Sequence, residues 1–314
     1  MVITVCIPLC DRKYLKPMQD ALQAQKVPLH DILLLDSAAD PVRADEWPCG
    51  RIRRIHPGTF DHGGTRRQAL RFLGDADLIV FLTQDALPTE SDSIGNLIAE
   101  FANPSVGVAF GRQLPRPEAS PMEAHPRLFN YPAYSRVKSS ADIPRLGIKT
   151  AFISNSFAAY RRTALEAIGG FPARCIVSED TFIAARLLLA GWEVSYCAEA
   201  KVHHSHPYGY GQEFKRYFDV GVFHAREPWV RREFGGAEGE GSRYLKSEMQ
   251  YLGRVAPHLI PSALVRNGLR YLGFRVGLGE RWLPLAIKRQ LTMQKAFWSA
   301  KPEVSGAQGT SPAL

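Results

Sequence analysis

The chain has 314 residues, 45% hydrophobic and 22% charged, with 39 Lys and Arg against 31 Asp and Glu for a formal charge of +8. Length and composition exclude a disordered chain, and no apolar run approaches the ~20 residues a membrane-spanning helix needs. The charge suits anionic partners such as nucleotide diphosphates, phospholipid headgroups or nucleic acid, without separating them. In chain order, apolar runs at 2–7, 32–35, 52–55 and 78–82 alternate with amphipathic stretches, which predicts βαβ units with a mostly parallel sheet and a nucleotide-binding half. Leu15, Met18 and Leu22 share one helical face, and Ala69, Leu70 and Leu73 mark a helix beginning after Gly63-Gly64. Residues 112–150, rich in Pro, Arg and Ser with little periodicity, predict a long irregular excursion. A strand over 152–160, a short helix ending at Gly169-Gly170, a helix over 179–190 closed by Gly191 and a strand over 192–197 follow. Past Gly211 the pattern is helical, with breaks near Gly235-Gly236, Pro257, Gly277 and Pro284. The predicted organisation is an α/β domain over 1–210, a helical region over 211–300 and a flexible tail over 301–314.

Residues 1–8 read as a buried first strand without a basic leader or a cleavage site, so secretion is not expected. Five cysteines, Cys6, Cys10, Cys49, Cys175 and Cys197, include no CxxC pair and read as free packing thiols in a reducing compartment. Basic residues near the carboxyl end, Arg266, Arg270, Lys288 and Arg289, interleave with Leu, Phe and Trp. That mixture fits a membrane-surface helix or simple solvated helix faces.

Open α/β sheets collect ligands outside the carboxyl ends of their strands, and acids of this chain fall there. Asp36 follows the second run, where it can accept from a pyrimidine N–H or a ribose hydroxyl, or close an Asx turn. Asp85, after Gln84, ends the run Leu78 to Leu82; one carboxylate matches the Mg²⁺ habit of combining few protein ligands with substrate phosphates, the alternative being a turn before Pro88. In Phe60-Asp61-His62-Gly63-Gly64-Thr65-Arg66 the glycines permit close backbone approach, and a helix start with Arg66 offers anion contacts. Glu179-Asp180 opens a helix, either as ordinary capping or with one carboxylate as general base. Among His203, His204 and His206, His204 or His206 is read as a metal or diphosphate contact, and a closed zinc site is discounted. Asp85 and the acid pair together point to metal-assisted transfer from a nucleotide-activated substrate.

These motifs, in this order, resemble glycosyltransferase family 2, inverting enzymes of the GT-A (Rossmann-like) fold, over about residues 2–210. Ile7-Pro8 matches the proline that ends the family's first strand, Asp36 its acidic nucleotide contact, Gln84-Asp85 a reduced DXD metal motif, and Glu179-Asp180 its ED pair, with Asp180 as base. Phe60 to Arg66, Thr83 to Ala86, Gly111-Arg112-Gln113-Leu114-Pro115, Ser154-Asn155, His204 to Tyr208 and the tail Gln290 to Trp298 are similar to the rhamnosyltransferase branch. The resemblance implies a GT-A fold with a C-terminal α-helical appendage and a dTDP-L-rhamnose donor. It puts donor contacts at Pro8, Asp36, Asp61, Gly64, Arg66, Gln84 and Asp85. It implies Mg²⁺ or Mn²⁺ on Asp85 and His204, with His206 as a further ligand, and sugar or acceptor contacts at Gln113, Asn155 and Glu179. The implied acceptor is a saccharide or polyprenyl-diphosphate-linked glycan of bacterial surface polysaccharide. The enzyme is then expected in the cytoplasm, peripheral to the inner face of the membrane, without a nucleic-acid partner. The rivals are a UDP-sugar donor on the same fold and a noncatalytic glycan- or nucleic-acid-binding protein.

Overall fold

The computed structural model describes residues 1–56, 62–236 and 238–299, so Asp61 and the predicted tail over 301–314 lie outside the described residues. β1 (Ile3–Leu9), β2 (Asp31–Asp36), β3 (Arg51–Arg54) and β4 (Leu78–Leu82) pair in parallel in the order β3-β2-β1-β4. α1 (Leu15–Gln23) and α2 (His62–Ala69) lie between them in the chain. Every residue of β1 and β4 is buried, which is why these strands read as unbroken apolar runs rather than alternating ones. Alternate side chains feed two cores. Cys6, Phe81, Val108 and Tyr160 enter one, and Val5, Ile7, Val80, Leu82 and Phe157 the other. Pro8 lies beyond Cys6–Phe81, the last β1–β4 pair, so its missing N–H costs no rung towards β4. α2 starts at His62, so Gly63 and Gly64 fall inside its first turn rather than ahead of it.

Past β4 the sheet becomes mixed. β5 (Leu87–Pro88), α3 (Ser93–Ala99), β6 (Val106–Leu114), α4 (Pro121–Asn130), β7 (Arg136–Lys138), α5 (Ile143–Leu146), β8 (Phe157–Arg161), α6 (Arg162–Ala167), α7 (Glu179–Leu189) and β9 (Glu193–His203) follow. β8 runs antiparallel between β4 and β6, β6 pairs in parallel with β9, and β5 and β7 are antiparallel to β9. The irregular excursion expected over 112–150 is instead largely ordered. α4 opens with a Ser120–Glu123 capping box and Pro121 in its first turn, a start signal that the Pro-rich composition obscured. The strand expected from 152 begins only at Phe157, and the one expected to end at Cys197 runs on to His203.

α8 (Tyr210–Arg226), α9 (Pro228–Phe234), α10 (Glu238–Val255), α11 (Ile260–Leu278) and α12 (Leu285–Leu291) form the helical region. Gly235, Pro257 and Pro284 fall between helices as expected, whereas Gly277 lies inside α11. There it serves close packing. A Cβ at Gly273 or Gly277 would overlap the carbonyl oxygen of Phe214 or Phe218 on α8, and one at Gly221 would overlap that of Phe274 on α11. Each interior glycine costs about 0.5–1 kcal/mol against alanine, which the backbone contact offsets.

Candidate functional site

Asp85 follows β4, and His204 and His206 follow β9; the pairing of Leu87 in β5 with His203 brings these chain ends together. The ligand atoms of Asp85, His204 and His206 lie within 4.8 Å of one another. The Nε2 atoms of His204 and His206 stand 3.4 and 3.5 Å from the same Oδ2 of Asp85. Ligands bound at about 2.0–2.2 Å to one cation sit at similar mutual distances. The alignment depends on an irregularity. Between Gly111 and Arg112 the β6–β9 register jumps from Cys197 to Lys201, so that Gln113 faces Val202 and Leu114 faces His203. Gly111 tolerates the bulge because a Cβ there would overlap the Phe157 ring and the Ala200 carbonyl.

The bulge brings Gln113 beside His204. Gln113 Nε2 donates to Ser154 Oγ (2.8 Å), and its Oε1 lies 2.8 Å from His204 Nδ1. With the amide so oriented, the His204 proton sits on Nδ1, and the Nε2 lone pair faces a carboxylate. Two acceptors 3.4 Å apart repel, and a cation between them would resolve the conflict. Burial opposes the charge on Asp85; a protonated His204, through its hydrogen bond and charge, and then a protonated His206 would hold its carboxyl well below the usual range. Burial lowers both imidazoles, His206 to about 3. A charged His204 supporting Asp85 conflicts with a buried His204 that gives up its proton. Because burial is the largest influence on the imidazole, the consistent state is an ionised Asp85 with two neutral imidazoles. One oxygen anion and two nitrogen donors suit a divalent cation.

Glu179 and Asp180 open α7 just after Ser178, whose φ of 61° is the one positive value outside glycine among the described residues. Backbone strain of this kind is held in place by its surroundings. Arg66 Nη1 lies 2.8 Å from Glu179 Oε1, which also accepts from Asn155 Nδ2 (3.0 Å), while Asn155 Oδ1 accepts from the Tyr160 hydroxyl (2.5 Å). Asp180 accepts the Thr181 N–H at 2.7 Å. Burial, then the charge of Glu179, pushes Asp180 up to about 7 against the pull of Thr181, Arg66 and Asn155. A carboxylate poised near neutrality can take a proton at working pH. Neighbours Ser154 and Asn155 join the two clusters, one bonded to Gln113 behind His204 and the other to Glu179 beside Asp180.

Two further predicted residues, Asp36 and Gln84, hold loops at adjoining strand ends. Asp36, fully buried, accepts the N–H groups of Ala38 (2.9 Å) and Val42 (3.0 Å) and pairs with Arg54 at 2.7 Å, the Asx-turn arrangement. Gln84 Oε1 accepts the N–H groups of Cys10 (2.8 Å) and Asp11 (2.9 Å), tying the β4 end to the β1 loop.

Sequence reasoning missed three arginines. Arg116 donates to the Asp85 carbonyl at 3.0 Å. Arg127 of α4 has a buried Nε without a hydrogen-bond partner among the described residues, and burial lowers its pKa. Arg216 of α8 lies over the Tyr208 ring at 5.5 Å, and its charge reaches both His206 and Asp180. The Ser120–Glu123 capping box is the signal in the sequence for the helix that carries Arg127. A cavity of about 280 Å³ opens beside His206, lined also by Ser120, Glu123, Tyr208, Glu213 and Arg266. A larger depression of about 510 Å³, lined by His224, Arg231, Arg232 and Leu278 among others, takes in none of the predicted residues.

Residues 78–222 match the family described as Glycosyl transferase family group 2. The chain is 46% identical over 304 residues to the O-antigen chain rhamnosyltransferase RfbN of Salmonella typhimurium, covering 95% of this chain and 96% of the relative. It is 45% identical over 281 residues to the O-antigen chain rhamnosyltransferase WbaN of Salmonella anatum, covering 89% of each. Among solved structures, the mannosyltransferase PcManGT of Pyrobaculum calidifontis, in complex with GDP-Man and Mn²⁺, has a TM-score of 0.55 at 17% identity over 95% of this chain and 84% of that one. S. aureus TarS 1-349 has a TM-score of 0.51 at 12% identity over 90% of this chain and 91% of that one. These two structures share the fold.

Proposed function

The chain belongs to glycosyl transferase family group 2, and from that premise we propose that it transfers L-rhamnose from dTDP-L-rhamnose to an acceptor hydroxyl in O-antigen synthesis. It is a glycosyltransferase of α/β, GT-A-like fold. Identity of 46% to an O-antigen chain rhamnosyltransferase over 95% of the chain supports the sugar and the process. The mechanism draws on one arrangement: Ser154, through Gln113, and Asn155, through Glu179, link the Asp85–His204–His206 cluster to Asp180, whose proton affinity burial and Glu179 raise.

In this reading the acceptor oxygen attacks the anomeric carbon as the bond from that carbon to the donor diphosphate breaks. Asp180 receives the hydroxyl proton. A single displacement inverts the centre and passes through oxocarbenium character. Arg116, Arg127 and Arg216 meet the charge that grows on the departing dTDP. Mg²⁺ or Mn²⁺ held by Asp85, His204 and His206 would supply Lewis-acid stabilisation of the same diphosphate. Glu179, fixed by Arg66 and Asn155, raises Asp180 and orients the start of α7. Gln113 sets the His204 tautomer. We assign donor contacts to Pro8, Asp36, Asp61, Gly64 and Gln84. Residues 1–210, joined by Arg216 of the helical region, thus carry transfer to a saccharide or polyprenyl-diphosphate-linked acceptor at the inner face of the cytoplasmic membrane. Among the described residues no helix is long and apolar enough to cross that membrane.

Calorimetric titration with dTDP, UDP and GDP, first with Mg²⁺ and then with EDTA, tests this reading. Metal-dependent preference for dTDP is expected. A UDP preference replaces the donor, and no nucleotide binding at all overturns the enzyme reading in favour of a glycan-binding protein.

A further inference from the structure

α11 carries an outer stripe that no described element covers. At 3.6 residues per turn, Leu264, Val265, Gly268, Tyr271, Leu272 and Arg275 share one side of the helix, and all are exposed. Ala263, Arg270, Gly273 and Gly277 occupy the opposite side and are buried. Tyr271 is 67% and Leu272 52% exposed, and just beyond the helix come Trp282 at 76%, Leu285 and Ile287. Soluble monomers seldom leave a contiguous apolar stripe of this kind bare.

Charge indicates what covers it. From Ala256 to Ser299 the sole acid is Glu280, which is buried and paired with Arg226 and Lys288. Arg275, Arg281, Arg289 and Lys295 are exposed. Apolar and aromatic side chains rimmed by cations, without an exposed acid, complement an anionic lipid surface. A second copy of the same face would bring like charges together. We propose that the outer face of α11, with the segment through Ile287, docks this enzyme on an anionic phospholipid bilayer. Lying in the surface plane, α11 also reaches the site: Arg266 donates to the Tyr208 carbonyl and lines the cavity beside His206. Docking then sets that cavity at the membrane border, where a lipid-linked acceptor presents its sugar. This last step rests on the function proposed above, whereas bilayer binding does not.

Flotation of the full chain with vesicles of phosphatidylcholine, alone or with about 30% phosphatidylglycerol, tests the proposal. Binding is expected to the anionic vesicles only, weakening as salt rises. Leu264→Glu with Leu272→Glu should lower it about tenfold or more, and Arg275→Gln with Arg281→Gln less, with circular dichroism and turnover on a water-soluble acceptor unchanged. Absence of binding by the unaltered chain, or binding that survives both double substitutions, overturns the proposal. So does a dimer that the Glu pair dissolves while vesicles are ignored, which would give the face to a second copy. Loss of nucleotide binding with vesicle binding intact would defeat the transferase reading alone.

Discussion

Asp85 and Asp180 are the same residue type in one site, yet their surroundings drive them in opposite directions. Asp85 faces two imidazoles whose nitrogens lie 3.4 and 3.5 Å away, and it stays ionised despite burial. Asp180 sits beside a second carboxylate that Arg66 and Asn155 already engage, and it is pushed up to about 7. The contrast shows how one side chain serves two kinds of chemistry. A carboxylate set among neutral nitrogen donors serves a cation, while burial and then a carboxylate neighbour raise proton affinity for a base.

The largest break in that contrast should come from Asp180→Asn, which removes proton acceptance while keeping shape. Turnover should fall by about 10² to 10⁴ with dTDP affinity unchanged, measured by initial rates and calorimetry. Rates within a few-fold of the parent would strip Asp180 of its role. Next comes Gln113→Leu, which releases the His204 tautomer from behind; metal affinity should drop about 10- to 100-fold, the usual scale for an outer partner of a metal ligand. Unaltered metal affinity would separate Gln113 from the cluster. The mildest test is pH. Because Asp180 keeps its proton up to about 7, turnover should rise about tenfold per unit from acid pH towards 7 and level off above. A profile already flat at about pH 5 would mean that Asp180 titrates as an ordinary carboxylate.

Much of this site was legible because strand ends and helix starts are legible. Asp85 after Leu82, Glu179 before an apolar helix and the histidines after a strand all follow from period and punctuation. In the parallel half β1, β2 and β4 announced themselves through buried apolar runs, whereas β3 carries Ile52 alone among arginines. What stayed hidden depends on register. Gln113 meets His204 only because a bulge shifts β6 against β9 after Gly111, and no local pattern encodes a pairing across 91 residues. Arg127 and Arg216 were hidden otherwise: an arginine on a helix looks alike whether it faces water or a cleft. Gln84, read as a depleted metal motif, bridges two strand ends with its carbonyl oxygen.

The glycine seam between α8 and α11 bears on how such enzymes can be recombined. α8 carries Arg216 next to Tyr208 and, little more than one turn later, Gly221 against Phe274 of α11. Gly273 and Gly277 answer from the other helix, so each backbone is moulded to its partner. A chimera joining one relative's α8 to another's α11 would set methyl groups against carbonyl oxygens wherever the small residues fell out of step. Grafting that keeps the fold therefore has to move residues 210–278 as one cassette, with crossover points outside it.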